Sequence, residues 1–167
     1  MAPERSETFR QGLVAGLLGY ATVVVFFALL NLIGGKSIFY TAALLGSALF
    51  YGARDLSAVT VAAGPVLAYN GVHLLVFLAF GIAAAWLAEL SEHGPHFWYI
   101  AAILLITFAF HVFGLLLGMT ESLRAALPAW SVLLSGALGS ASMAGYLLWT
   151  HPGARQALRE DVVQDMS

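Results

Sequence analysis

The stretch PVLAYNGVHLLVFLAFGIAAAWLAEL, residues 65–90, decides the fold. It carries no Asp, Glu, Lys or Arg before Glu89. Its apolar residues lie on every side of a 3.6-residue helix, whereas a helix on a soluble core keeps one polar face. A helix needs ~20 such residues to cross the ~30 Å hydrocarbon core of a bilayer, and this one has them. Pro65 opens it in a first turn that needs no amide donor.

Working outward, three more stretches read the same way. One runs over about 11–33 and closes at Gly34-Gly35-Lys36; the others run over about 95–119 and 127–150, the last closed by His151-Pro152-Gly153. The connections after the second and third stretches are short, which makes their helices antiparallel neighbours. The whole chain is 60% hydrophobic and 10% charged with mean hydropathy +0.87, against about a quarter charged in soluble domains. The expected fold is therefore all-α: a polytopic membrane protein, one transmembrane domain over 1–167, built as a four-helix antiparallel bundle with a polar tail at 153–167. Trp86, Trp98, Trp130 and Trp149 fall near the ends of these stretches, as an interfacial aromatic belt requires.

SIFYTAALLGSALFY, residues 37–51, is apolar but too short to span, about 22 Å if wholly helical. It reads as a re-entrant or interfacial helix in preference to a fifth crossing. With four crossings, Arg5, Arg10, Arg155 and Arg159 share one face, and Lys36, Arg54 and Arg124 share the other. That balance places both termini in the cytoplasm. MAPERSETFR mixes both charge signs and precedes an apolar run longer than a signal h-region, so the first segment is read as retained.

Several function classes are excluded or weakened. Net charge is −2 without a block of either sign, which speaks against nucleic acid as a partner. There is no cysteine, hence no thiolate metal site and no iron–sulfur ligation. No phosphate-binding loop, dinucleotide fingerprint, zinc-protease or nucleophile-elbow motif occurs. No carboxylate lies mid-membrane, as a proton-coupled pump would need.

The polar residues that stand out are His73 in YNGVHLLVF and His111 in FAFHVFG. The turn between their stretches centres near His93, 20 residues beyond one and 18 before the other, so a helical hairpin sets the imidazoles about 3 Å apart in depth. Asn70 shares the face of His73. Asn31, Ser131, Ser135, Thr120 and Glu121 gather toward the same end, and the 37–51 segment starts there and can cover the cluster. Imidazoles inside a bilayer need partners and mark a candidate site. Three uses fit: axial ligation of a b-type haem between His73 and His111, with Gly114 and Gly118 leaving room for the macrocycle and Phe77 on its edge; a metal site, for which the donors are few; and a polar pocket for a quinone or lipid headgroup. The structural alternative is that each histidine bonds across helices to Asn70, Ser135, Asn31 or a backbone carbonyl and fixes register. His93 and His96 read as a solvated turn, and His151 as an interface anchor.

Small residues at four-residue spacing (Gly12 and Gly16, Gly114 and Gly118, Gly136, Ser140 and Ala144) mark faces where backbones touch. Packing within the chain is expected to use them, with oligomerisation or docking as the alternative. The first functional expectation is a small non-catalytic subunit or scaffold, in contact with the lipid bilayer and with other membrane subunits or copies of itself. The alternatives are an electron-transfer anchor holding b-type haem between His73 and His111, and a quinone- or lipid-binding membrane protein.

Overall fold

The computed structural model describes residues 5–92, 106–107, 121–153 and 156, and every regular element among them is helical. Helix α1 is Arg5–Ile33, α2 Tyr40–Phe50, α3 Ala63–Glu92, α4 Glu121–Ala126 and α5 Ala129–Thr150. Three of these are long and apolar enough to cross a membrane: Arg5–Ile33, Ala63–Leu90 and Ala129–Thr150. The stretch expected at 95–119 lies outside the described residues apart from Ile106 and Thr107, which are helical.

Boundaries differ from expectation for local reasons. α1 begins six residues before Gln11 because its polar first turns hold themselves together. Arg10 donates to both Glu7 carboxylate oxygens at 2.6 and 3.0 Å, and Gln11 donates to Glu7 at 3.3 Å. α5 starts at Ala129, after Pro128, whose φ of −58° and ψ of 128° set the entry. α2 has 11 residues, about 16 Å of helix, and cannot span. In the link after it, Ser57 donates its amide and hydroxyl to Asp55 Oδ1 at 3.0 and 2.6 Å, which holds that carboxyl below its usual range.

α1 ends in a Schellman turn. The Lys36 amide reaches Asn31 O at 2.8 Å and the Gly35 amide reaches Leu32 O at 3.0 Å, with Gly35 at φ +68°. A side chain at that φ is strained. Gly35→Ala is therefore expected to lower stability by about 1 kcal/mol, read as a fall in thermal midpoint of the purified protein.

Small residues set the packing. A Cβ added to Gly12 would sit 2.5 Å from Ile82 Cα, and one on Gly16 2.5 Å from Phe77 O. One on Gly81 would meet the Gly12 carbonyl. These pairs, with Thr8 bonded to Glu89 and Tyr20 to Asn70, run in opposite directions along the two helices, so α1 and α3 are antiparallel. On the other side of α1, Gly19 meets Met143, Val23 meets Gly139, and the Thr22 and Ser142 hydroxyls lie 3.1 Å apart. α1 is thus antiparallel to α5 as well. It is the central helix, clamped by small-residue contacts on two sides. Phe77, Val23 and Met143 fill the space between, and Ala15, Ala84, Ala85 and Leu147 close the next layer. The glycines of α1 are used within the chain, as expected.

α2 lies on the start of α3, where a Cβ on Gly46 would run into the Pro65 carbonyl. Its Leu44 is buried with Leu56, Leu123 and Leu127, which joins α2 to the link behind it and to α4. The outer surfaces are apolar: Leu17, Val25, Leu29, Leu75 and Leu133 are all exposed. Such a surface is the reverse of a soluble domain's and suits lipid as the solvent.

Candidate functional site

Tyr69, Asn70 and His73 occupy successive turns of α3, and the α1–α3 register brings Tyr20 against them. The Tyr20 hydroxyl donates to Asn70 Oδ1 at 2.9 Å, and Asn70 Nδ2 donates to Val66 O at 2.8 Å. Asn70 is thereby held in one orientation, its carbonyl toward α1. His73 sits among rings. It stacks on Tyr69 with centroids 5.1 Å apart and planes 19° from parallel, meets Phe77 edge-on at 5.0 Å, and lies 6.1 Å from Tyr20.

These groups line a cavity of about 270 Å³ between α1, α2 and α3. Tyr20 and Val23 form one wall, and Tyr69, Asn70 and His73 the second. Ile38, Phe39, Thr41 and Ala42 come from the start of α2 and the turn before it. Of the expected cluster, the start of the 37–51 segment thus covers Asn70 and His73. What holds the cover in place is Asn31, which is buried at the end of α1. Its Nδ2 donates to Ile38 O at 3.2 Å, and its Oδ1 accepts from the Thr41 hydroxyl at 3.0 Å. The cavity rim carries Leu67, 70% exposed, beside exposed Ile38 and Phe39, so its mouth faces the apolar exterior of the bundle.

The candidate residues read from the sequence divide accordingly. His73 and Asn70 share the cavity. His111, the other half of the proposed haem pair, lies outside the described residues, as do Gly114, Gly118, Thr120, His93 and His96. Asn31 serves α2 and not His73. Ser131 and Ser135 donate to Pro128 O and Val132 O on their own chain, at 2.7 and 3.0 Å. Glu121 is exposed in the first turn of α4. Asn70 bonds with Tyr20 and Val66, Ser135 with its own helix, and Asn31 with α2. Among the described residues no cluster of three His, Cys, Asp or Glu could hold a metal ion. His151, expected as an interface anchor, is buried and closes α5, with Nδ1 3.0 Å from Leu147 O.

The sequence reading missed Tyr20, Tyr69 and Thr41. Tyr69 is four residues before His73, a spacing that puts both on one face, and this signal was there to be read. Tyr20 was not recoverable, because only the glycine-set register of α1 on α3 brings it to Asn70.

No family model matches the chain, and neither a curated protein nor a solved structure does.

Proposed function

We propose that this chain is a small integral membrane protein that binds the head of a membrane amphiphile, a quinone or a ring-bearing lipid, in the cavity beneath α2. The observation that carries the proposal is the convergence of Tyr69, Asn70 and His73 on one apolar-walled space whose mouth opens sideways onto the lipid-facing surface. Pockets of this kind, apolar with a few convergent polar groups, are the usual small-molecule sites. Tyr69 lines the cavity, and its hydroxyl is the donor proposed for a ligand carbonyl. Asn70 has a second amide hydrogen directed by its fixed side chain.

Size favours a head group over a macrocycle. A cavity of ~150 Å³ holds one benzene ring. About 270 Å³ therefore suits one substituted ring, its tail leaving past Leu67 and Phe39. The four-crossing bundle belongs to the same proposal. α3 and α5 both run opposite to α1, which is compatible with the crossing proposed at 95–119, a stretch that lies outside the described residues apart from Ile106 and Thr107. Both termini then share a face, and the charge balance puts that face in the cytoplasm.

The reading as a non-catalytic subunit or scaffold of a larger complex rests on the apolar outer faces of α1 and α5. A bilayer covers those faces equally well. The two roles are compatible in one protein.

The test is titration of the purified protein in detergent with a short-tailed benzoquinone, followed by quenching of aromatic fluorescence. Saturable binding is expected, weakened about tenfold by Tyr69→Phe through loss of one directed hydrogen bond. Non-saturable quenching identical in the parent protein and in Tyr69→Phe overturns the reading. A visible band that shifts on reduction and vanishes in His73→Ala would replace it with haem.

A further inference from the structure

We infer that a second cavity takes the phosphate of an anionic phospholipid, one whose headgroup carries no cation, such as phosphatidylglycerol. The space, about 190 Å³, lies where the end of α1, the first turn of α2 and the joint between α4 and α5 meet. Gly34, Lys36, Pro128 and Trp130 line it and are exposed, while Thr41 and Leu127 line it and are buried, so it runs inward from the surface. Lys36 and Trp130 do not line the cavity proposed for the quinone or ring-bearing lipid.

Lys36 brings the charge, and the fold places it. Its amide is bonded to Asn31 O at 2.8 Å in the turn that ends α1, and its Nζ stands 4.1 Å from the centre of the Tyr40 ring. No described carboxylate lines the space, and the ion pair among the described residues joins Arg10 to Glu7. An ammonium resting on a ring still has N–H donors for a phosphate oxygen, which it takes as a point charge. The same ring decides against choline. Its face is already taken by Lys36, so a quaternary ammonium gains no ring there and meets a like charge. The depth also suits a headgroup. Lys36 stands three residues beyond Ile33, which ends apolar α1 and is 86% exposed, and Trp130 beside it is 53% exposed. A lysine stem and an indole at the end of an apolar helix mark the level where phosphates meet acyl chains. The glycerol and first acyl carbons of a lipid would cover Leu30 and Trp130, which a free phosphate would leave to water. That commits the site to lipid.

The experiment reconstitutes the full chain in nanodiscs with equal amounts of phosphatidylglycerol and phosphatidylcholine of the same acyl chains. Lipid that stays bound after gentle release is then measured by native mass spectrometry. Phosphatidylglycerol is expected to be enriched about fivefold, the worth of one basic side chain near a membrane surface. Lys36→Gln is expected to remove that enrichment with the thermal midpoint unchanged, and Lys36→Arg to keep it. Arg54→Gln changes an exposed cation that does not line the space, and is expected to leave the enrichment as it is. Equal retention of the two lipids by the parent chain, an enrichment that survives Lys36→Gln, or one that Arg54→Gln lowers as far, overturns the proposal. Titration with inorganic phosphate in detergent is expected to give no saturable heat. Saturable heat that Lys36→Gln abolishes would make the occupant a soluble phosphate and overturn the lipid assignment. The site rests on the membrane reading, whose failure would show differently, as a chain that stays monodisperse without detergent, and would overturn the site with it.

Discussion

Gly16→Leu is expected to leave little folded protein in mild detergent, while Gly145→Leu at the outer surface of α5 is expected to leave the stability within about 0.5 kcal/mol of the parent. The contrast isolates the cause. Both glycines lie inside long apolar helices, and both replacements add the same side chain. Around Gly145 nothing lies within 4 Å of an added Cβ, whereas at Gly16 the Cβ alone falls 2.5 Å from Phe77 O and 2.8 Å from Leu78 Cα. Those are backbone atoms of a packed helix and cannot move without separating α1 from α3. Separation would strip the contacts of Gly12 with Gly81 and Ile82, and the bond from Tyr20 to Asn70. Overpacking costs about 1–3 kcal/mol where side chains can adjust. Here the obstruction is main chain, so the expected loss is above that range. Gly16→Ala is the graded version, expected to lower the midpoint clearly while some folded protein remains. A Gly16→Leu chain that unfolds at the parent temperature would show that α1 and α3 are not held as described.

This dependence explains which parts of the protein are legible in its sequence. The membrane character of residues 65–90 follows from hydropathy, which needs no partner. The same holds for the end of α1 at Gly34-Gly35-Lys36, because a Schellman turn is local chemistry. The glycine spacing of Gly12 and Gly16 marked a close contact, but the face it meets, Gly81 and Phe77 on α3, is a tertiary fact. Matched depth drew attention to His73 because it needs only chain lengths on either side of a turn. Rotation about the helix axis is not encoded that way. The surroundings of His73 proved to be Tyr69, Phe77 and Tyr20, three rings that read as ordinary apolar packing in a linear sequence. Asn31 was grouped with the histidine because of its depth, and its partners turned out to be Ile38 and Thr41, seven and ten residues on. Depth alone cannot separate a residue that lines a site from one that builds it.

That distinction yields the last expected result. Asn31→Leu is expected to weaken benzoquinone binding by more than tenfold, although Asn31 is not among the residues lining the cavity. The side chain makes two hydrogen bonds to α2 and the turn before it, and the Thr41 hydroxyl it accepts from is itself buried. Leucine of similar size removes both and leaves that hydroxyl and the Ile38 carbonyl without their partner. Each buried group left unsatisfied costs roughly 1–3 kcal/mol. The cost falls on the segment that Asn31 tethers, residues 36–42, because α2 beyond it stays fixed by Gly46 against Pro65 and by Leu44 in its own cluster. Ile38, Phe39, Thr41 and Ala42 would leave their cavity positions while α1, α3 and α5 keep theirs. Amide exchange is expected to rise over 36–42 and to stay unchanged across Gly16 and Gly81. Thr41→Val in the same chain as Asn31→Leu removes the stranded donor, so the double variant is expected to be less destabilised than the sum of the two single changes. Binding should nevertheless remain weak in the double variant, since the tether to Ile38 is still missing. Full-strength binding in Asn31→Leu would separate α2 from the site, and faster exchange throughout α1 would show that Asn31 supports the bundle and not the cover.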